Sequence, residues 1–183
     1  MRPLAMPRPA LAADAAGIAA VHVDSWRETY PGMLPDRYLA EMDVSDYEDR
    51  WLRTIQDPYR RSAVFVVEEE SRVVGFASCG RERDGDERYE GELYAIYLLP
   101  WAQGRGLGRT LVAATADALA IRGMTSMVVW VLRQNAQARG FYERLGGVYL
   151  RERPLDLAPG FDVPEVSYLW ADTAPLRSGA ARR

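Results

Sequence analysis

The sequence is poor in the residues that build metal centres and disulfides. It contains one cysteine, Cys79, and one histidine, His22. A lone cysteine cannot close an internal disulfide, and the two residues are too few for a zinc site made of cysteine and histidine ligands. We therefore expect no resident metal. So low a cysteine content is typical of a protein of the reducing cytoplasm.

Long apolar runs and an excess of positive charge are also missing. No uninterrupted apolar segment approaches the ~18 residues that suggest a membrane-spanning helix, and residues 1–7 contain no apolar region of the secretory type. The net charge is −3, so no broad basic field attracts nucleic acid or an anionic membrane. The sequence predicts a cytoplasmic protein with neither nucleic acid nor a membrane as its partner.

The length and composition fit one folded domain with a substantial core. The chain has 183 residues, of which 48% are hydrophobic and 27% are charged. Sequence periodicity predicts two helices, a three-stranded run, a helix, a strand, a helix and further strands. This order is typical of an α/β (α+β) domain with helices covering a sheet. We predict a domain over 1–172 and a small, arginine-rich, disordered tail over 173–183.

Several local signals fix the expected ends of these elements. Asp14 is predicted to cap the first helix, which should end at Pro31-Gly32. Ser45 and Glu48 have the spacing of a capping box at the start of another helix. A short polar join around Ser71 separates two β-type runs and predicts a hairpin.

The most informative segment is the glycine-rich turn over residues 103–110, which lies between a predicted strand and a predicted helix. Glycine allows positive φ and a close approach of a ligand to the backbone. The first turn of a helix adds unpaired amides and the positive end of the dipole. Together these features can form a nest for a pyrophosphate, with Arg105 and Arg109 at its rim. The alternative is a turn that needs glycine only for its own conformation.

Two other phosphate-binding motifs do not fit this segment. The Walker motif requires a GK[ST] ending, which the sequence lacks, and the dinucleotide fingerprint requires G-x-G-x-x-G. The glycines here stand at 104, 106 and 108, which is a different spacing. A nucleotide-binding domain is therefore disfavoured.

The spacing does resemble the coenzyme A signature Q/R-x-x-G-x-G/A of the GNAT acetyltransferases. Residues 103–108 fit that signature at every fixed position, and the preceding strand, Leu93 to Pro100, is similar to the central strand of the family. The segment from Asn135 to Gly146 resembles a second family motif, N-x-x-A-x-x-F-Y-x-x-x-G. The resemblance runs from about Leu11 to Trp170.

The resemblance implies a fold and a cosubstrate. The fold is a mixed central sheet of six to seven strands, with helices on both faces and a splay between the fourth and fifth strands that holds the pantetheine arm of acetyl-CoA. The residues that the family pattern places at the coenzyme are Tyr97, Leu98, Leu99, Gln103, Gly104, Arg105, Gly106, Leu107, Gly108, Arg109, Thr110, Asn135, Ala138 and Tyr142. The side chains over 97–99 have simple core packing as their alternative role, and Asn135 can serve as a helix cap alone.

Two residues are candidates for acid–base catalysis by this resemblance. Tyr142 corresponds to the tyrosine that protonates the departing thiolate, and a phenol with a pKa near 10 is protonated at neutral pH. Glu92 precedes Gln103 by the spacing of the catalytic glutamate in the histone-acetylating branch. The alternatives are a packed aromatic ring for Tyr142 and a solvated carboxylate for Glu92, with water and backbone carbonyls acting as the base.

The acceptor side is less defined by sequence. Trp26 and Tyr30 lie four residues apart on a predicted helix and could both face the acceptor pocket, or they could pack the helix onto the sheet. The charged stretch Arg81 to Arg88 is predicted to be an exposed loop near the entrance. His22, one turn before Trp26, is interpreted as structural.

The resemblance implies an N-acetyltransferase that transfers the acetyl group of acetyl-CoA to a primary amine by direct attack in a ternary complex. The acceptor is a small molecule or a protein, and a homodimer is possible because many relatives dimerise. The alternative function is a catalytically inactive module that binds acyl-CoA and regulates a partner.

Overall fold

The computed structural model describes residues 5–156 and 162–178. The helices are α1 (Ala15–Thr29), α2 (Asp36–Ala40), α3 (Val44–Ile55), α4 (Leu107–Ile121) and α5 (Ala136–Arg144). The strands are β1 (Arg8–Pro9), β2 (Ser62–Glu69), β3 (Arg72–Arg81), β4 (Gly91–Leu98), β5 (Met127–Leu132), β6 (Val148–Asp156) and β7 (Asp162–Trp170). Within those ranges no helix combines the length and apolar character that a bilayer crossing requires.

The strands form one mixed, seven-stranded sheet in the order β1-β2-β3-β4-β5-β7-β6. Only β4 and β5 run parallel, and the other neighbours are antiparallel. Helices flank the sheet: α1 and α3 share one apolar core with β2 and β3, whereas α4 packs into a second core with β4 and β5. The predicted fold class is therefore confirmed.

The hairpin between β2 and β3 was predicted from its polar join. Glu69 pairs with Arg72, so the turn consists of Glu70 and Ser71 alone. Their φ values are +51° and +63°. Positive φ at both positions gives a two-residue turn the twist that matches its flanking strands.

Two helix caps differ from the sequence prediction. The Asp14 carboxylate accepts from the backbone N–H of Leu11 at 2.7 Å and from the Arg8 guanidinium, so it does not cap α1. Helix α3 begins after Asp43, whose carboxylate accepts from the N–H of Ser45 at 2.7 Å. At Asp14 upstream N–H donors engage the carboxylate, and at Ser45 the upstream Asp43 carboxylate accepts from the amide; a spacing rule detects neither.

The outer edge of the sheet at β1 carries few free hydrogen-bond donors. Arg8 pairs with Val66, and the N–H of Ala10 donates to the carbonyl of Val64 at 2.8 Å. The backbone N–H positions of the residues that alternate with them face away from β2. These residues are Pro7 and Pro9, which have no N–H. Proline at these positions blunts the edge against pairing with another chain.

The chain remains packed on the domain beyond residue 172. Thr173 is buried, and its N–H and hydroxyl both donate to the carbonyl of Thr125, at 2.8 and 3.0 Å. A single helical turn, Ala174–Leu176, follows, and Arg177 pairs with Asp117 of α4 at 3.1 Å. The folded part thus extends at least six residues past the predicted boundary, and residues 179–183 of the predicted tail lie outside the described residues.

Candidate active site

The central feature of the molecule is a fork between β4 and β5. The two strands pair in parallel only at Gly91, Glu92 and Leu93, whose partners are Met127, Val128 and Val129. Beyond that point each strand has a backbone edge without the other strand as partner. Backbone amides and carbonyls at such an edge need other partners, which is the property expected of a site that binds an amide-containing arm.

The fork opens where β4 carries one extra residue. On β3, Ser78 pairs with Ala95 and Cys79 pairs with Leu93, so Tyr94 has no partner and forms a β-bulge. A bulge bends its strand and increases the local twist. The bend occurs directly after the last residue that pairs with β5, and it therefore accounts for the separation of the two strands.

A cleft of about 450 Å³ occupies the fork. Ten of the sequence-predicted coenzyme residues line it, namely Tyr97, Leu98, Gln103, Gly104, Gly106, Gly108, Arg109, Asn135, Ala138 and Tyr142. Tyr30, predicted for the acceptor pocket, also lines the cleft. The fold thus brings the two family motifs and part of the first helix to one cavity.

Four predicted coenzyme residues do not line this cleft. Leu99 and Leu107 are buried in the apolar cores. The Arg105 guanidinium pairs with Glu69 of β2 at 2.6 Å, and the Thr110 hydroxyl donates to the carbonyl of Leu107 at 2.8 Å. Any contact of Leu99 or Leu107 with a coenzyme would therefore use the backbone rather than the side chain.

The glycine-rich turn has the backbone conformation that a phosphate nest requires. Gly104 and Gly106 have φ values of +71° and +89°, and Gly106 directly precedes α4. Gly108 has a different reason: a Cβ there would lie 3.2 Å from the Phe141 ring, so glycine lets α4 approach α5. The first amides of α4 lack intrahelical partners by helix geometry and point into the nest.

Side chains hold the turn against the sheet and the second motif. The Gln103 amide donates to the carbonyl of Leu98 at 3.0 Å and accepts from Gln137 at 2.8 Å. Asn135 caps α5, because its side-chain oxygen accepts from the N–H of Ala138 at 3.0 Å. The structural role of Asn135 is thereby established, and its side chain also borders the cleft.

Three tyrosine side chains meet near the fork. The Tyr30 phenol lies near the side chains of Tyr97 and Asn135, and all three residues line the cleft. Tyr142 is 5% exposed, and burial, followed by the nearby Tyr30, raises the pKa of its phenol. Burial likewise raises the pKa of Tyr30 and of Tyr97. All three phenols therefore remain protonated at neutral pH and can donate.

Glu92 lies at the start of β4, and it is 2% exposed. Its side chain points away from α4, since the neighbouring Leu93 belongs to the core around that helix. Arg83 engages both carboxylate oxygens, with Nη2 at 2.5 Å from Oε1 and Nε at 3.1 Å from Oε2. The carboxylate is thus a buried, ion-paired group rather than the solvated one that the alternative reading described.

The first helix presents an aromatic wall to β4. The Trp26 ring lies 5.0 Å from the Tyr30 ring and 6.4 Å from the Tyr97 ring, centroid to centroid. The His22 imidazole stacks 5.1 Å from Tyr97, and its Nδ1 accepts from Trp51 Nε1 at 3.2 Å. Burial lowers the pKa of His22 to about 4, so the ring is neutral at pH 7. Trp26 supports the wall without lining the cleft.

Comparison with known proteins agrees with this geometry. The sequence profile of the acetyltransferase (GNAT) family matches residues 22–147. The chain belongs to the GNAT acetyltransferase family. The uncharacterized N-acetyltransferase YuaI of Bacillus subtilis is 40% identical over 90% of this chain and 92% of that protein.

Solved GNAT structures share the fold. PaiA N-acetyltransferase from Thermoplasma acidophilum, solved with coenzyme A, has a TM-score of 0.71 at 19% identity, with 90% of this chain and 98% of that chain covered. The acetyltransferase YncA from Salmonella typhimurium, solved with acetyl-CoA, has a TM-score of 0.63 at 26% identity, with 99% of both chains covered. These relatives confirm that the chain is an acyltransferase of the GNAT type.

Several residues of this GNAT cleft were missed by sequence reasoning. They include Ser25, Thr29, Tyr94, Trp130, Phe141 and Arg144. Ser25 and Thr29 lie four residues apart on α1, so the sequence indicated that they share one face of the helix. No motif in the sequence points to Trp130. Among the described residues no three His, Cys, Asp or Glu side chains group together as a metal site would need.

Proposed function

We propose that this GNAT enzyme transfers the acetyl group of acetyl-CoA to a primary amine by direct attack in a ternary complex. The observation that carries the proposal is the fork of β4 and β5, which opens onto a cleft bordered by Tyr142 and by the glycine-rich turn. One cavity therefore joins a site for a pantetheine arm, a nest for its pyrophosphate and a protonated phenol.

The residues present fit acetyl-CoA. The unpaired edge of β4 over Tyr97 and Leu98 can hydrogen-bond the amides of the pantetheine arm. The positive φ values of Gly104 and Gly106 aim backbone N–H groups into one nest, and Arg109 borders the same cleft. The solved relatives that hold coenzyme A or acetyl-CoA support the same choice of cosubstrate.

In the proposed reaction, the neutral amine attacks the thioester carbonyl, the C–N bond forms, and the C–S bond breaks to release the coenzyme thiol. Tyr142 gives its phenolic proton to the departing sulfur, because its raised pKa keeps it protonated. The proton that the acetylated nitrogen loses then returns the Tyr142 phenolate to the phenol, directly or through water. Tyr30 lines the same cleft. Backbone N–H groups near Leu98 stabilise the carbonyl oxygen as its charge develops.

The acceptor ammonium must lose a proton before it attacks, and we propose Glu92 as the base, acting directly or through water. Glu92 shares one face of β4 with Ala95 and Tyr97, which line the cleft, and this supports the role. To act as the base, its carboxylate must exchange Arg83 for the acceptor or for water. We expect Glu92→Gln to lower kcat/KM about 100-fold at neutral pH and less at high pH, where the amine is already neutral. Unchanged kcat/KM across that range would assign the base to water and backbone carbonyls.

The alternative is an inactive acyl-CoA-binding module. Tyr142 lines the cleft at the fork, which supports the enzyme. The experiment that separates the two readings follows the purified protein by thermal shift with acetyl-CoA, against ATP and NAD, and then follows thiol release with a panel of amines. Stabilisation by about 2.7 kcal/mol is expected at one hundred times the dissociation constant. Binding without amine-dependent thiol release would favour the inactive module, and no binding would refute both.

A further inference from the structure

The sheet carries a charged cluster beside the fork, on the face opposite α4. Cross-strand pairing places Trp130 of β5, Ser167 of β7 and Arg151 of β6 in one row. The next row contains Leu132, Glu165 and Arg153. Trp130 is the first residue of β5 beyond the last pair with β4, and it lines the cleft.

Two guanidinium groups lie against the Trp130 ring. The Cζ atom of Arg153 is 3.7 Å from the ring centroid, and the Cζ atom of Arg151 is 5.2 Å from it. The arrangement has a counterpart across the fork, where Arg83 covers the ring of Tyr94 at 4.3 Å. Three guanidinium groups thus lie at the end of the cleft that faces away from the glycine-rich turn, and each is paired with a carboxylate.

A loop carboxylate occupies the space between the two β6 arginines. Asp84, in the connection between β3 and β4, accepts from Arg153 Nη1, and its Oδ2 lies 3.7 Å from Arg151 Nη2. Each arginine also has an anchor of its own. Arg153 Nε donates to the buried Glu165 at 2.6 Å, and Arg151 Nη2 donates to the Tyr89 hydroxyl at 3.0 Å. Arg151 Nη2 also lies 3.3 Å from Asp86 Oδ2, so a second loop carboxylate pairs with this arginine.

Two buried donors at this position lack an acceptor. Neither Trp130 Nε1 nor Arg151 Nε has a hydrogen-bond partner among the described residues, although both atoms are shielded from solvent. Leaving a buried donor unsatisfied costs about 1–3 kcal/mol, so each such atom calls for a partner such as a water molecule, an ion or a ligand. An anion that enters from the cleft would meet these two donors and both guanidinium groups.

We propose that the acceptor of this enzyme is an amine that carries a carboxylate, and that Asp84 holds the place of this carboxylate in the free enzyme. The inference rests on the proposed acetyl transfer. The acceptor's carboxylate would replace Asp84 Oδ2 between Arg151 and Arg153, while its amine reaches past the edge of Trp130 toward the fork. An α-amino acid and a short peptide with a nearby carboxylate both have this chemistry.

The ion pairs of Asp84 could also serve only to fix the loop over the sheet. The two roles predict opposite effects for Asp84→Asn. Removal of a competing carboxylate lowers KM for an acidic amine several-fold, whereas loss of a loop clamp raises KM. A fall in KM supports the proposal, and a rise or no change overturns the role of Asp84.

The acceptor class is tested with pairs of compounds that differ in charge, namely α-amino acids and their primary amides. Amidation makes the amine less basic, which favours the amide at neutral pH, so a preference for the acid reports on the site. We expect kcat/KM to be about tenfold or more higher for the acid. Equal rates or a preference for the amide overturn the proposal, as does a panel in which no acidic amine is acetylated.

Arg151→Gln is the informative arginine variant, because Arg153→Gln would leave the buried Glu165 unpaired. We expect KM for the acidic amine to rise about 10- to 100-fold, with kcat nearly kept and KM for the amide unchanged. Arg88→Gln is the control for the loop: it removes an ion pair with Asp86 at 2.5 Å, and Asp86 keeps its pair with Arg151, so no guanidinium is lost from Trp130. If both variants raise KM equally, the cluster only holds the loop.

Failure of this inference is distinguishable from failure of the proposed function. Binding of acetyl-CoA, measured by thermal shift, and thiol release with any amine test the transferase activity. Discrimination between acids and amides tests only the acceptor class.

Discussion

The two ends of the cleft are built by different means. The proposed coenzyme end is formed by backbone, with the φ values of Gly104 and Gly106 and the first amides of α4. The proposed acceptor end is formed by side chains from separate elements, among them Tyr30 after α1 and Trp130 in β5. A backbone nest requires particular residues at fixed spacing, so it leaves a motif in the sequence. A surface assembled across strands leaves none.

The largest expected effect tests the chemistry between the two ends. Tyr142→Phe keeps the buried ring but removes the proton donor, and we expect kcat to fall 100- to 10,000-fold while the dissociation constant of acetyl-CoA changes less than threefold. Steady-state kinetics and a coenzyme titration check both numbers. Tyr149→Phe, at a half-exposed ring on β6, is the control. An unchanged kcat would remove Tyr142 from the mechanism.

The second prediction concerns coenzyme binding, which a side chain placed in the nest should weaken. We expect Gly106→Val to weaken coenzyme binding at least 100-fold, because a Cβ at φ +89° strains the turn and fills the space before α4. Gly123→Val is the matched control, since Gly123 flanks the other end of α4 at φ +78° with no neighbour within 4 Å. Both variants lose stability, but only the first should lose the coenzyme. Equal binding by both would move the nest elsewhere.

The stability of the protein should depend on pH through His22, which belongs to the aromatic wall. The pKa of His22 is about 4 in the folded chain because of burial and the charge of Arg50, against about 6.5 when unfolded. Between these values the unfolded chain binds more protons, so the free energy of unfolding falls as the pH falls. We expect a loss of about 2–3 kcal/mol from pH 7 to pH 4.5.

Denaturant titrations at the two pH values measure this loss. In His22→Phe the imidazole is gone, and the difference between the two pH values should shrink by the same amount. A difference that persists in the variant would assign the effect to the carboxylates. The wild-type chain offers a direct check as well, because His22 is its only histidine and its NMR titration is free of overlap.

The smallest effect concerns Asn135, which caps α5 and also lines the cleft. Asn135→Ala removes the cap of α5, and we expect the free energy of unfolding to fall by about 1 kcal/mol. Asn135→Ser retains a capping oxygen and should restore most of that stability. If the serine variant regains stability but not coenzyme affinity, the amide contacts the coenzyme directly.

Sequence alone predicted the fold well and the site unevenly. The hairpin, the strand before the glycine-rich turn and the two helices that follow came from periodicity and turn chemistry, which are local. The capping of α3 was wrong because Asp43, two residues before Ser45, competes for the same N–H. The ion pair of Glu92 with Arg83 joins a strand to a loop, and no pattern of spacing encodes its geometry.

Strand order and register also explain why residues of the proposed acceptor site were missed. Arg151 and Trp130 become neighbours only because β7 returns between β5 and β6. Their contact depends on strand order and register, which the sequence pattern leaves open. Arg105, which was expected at the pyrophosphate, pairs with Glu69 of β2, a contact that spacing in the sequence did not predict.

The bulge at Tyr94 also determines which side chains of β4 face α4. A Cβ at Gly91 would contact Leu119 of α4, and Leu93 packs in the same core, so Glu92 faces away from α4. Beyond the bulge the parity reverses, and Ala95 and Tyr97 share the face of Glu92. The two halves of β4 thus each keep the face that their β3 partners set, and the base candidate and the aromatic wall share a common surface. Deletion of Tyr94 would leave them on that surface, because the remaining residues alternate regularly, but it would remove the bend that parts β4 from β5.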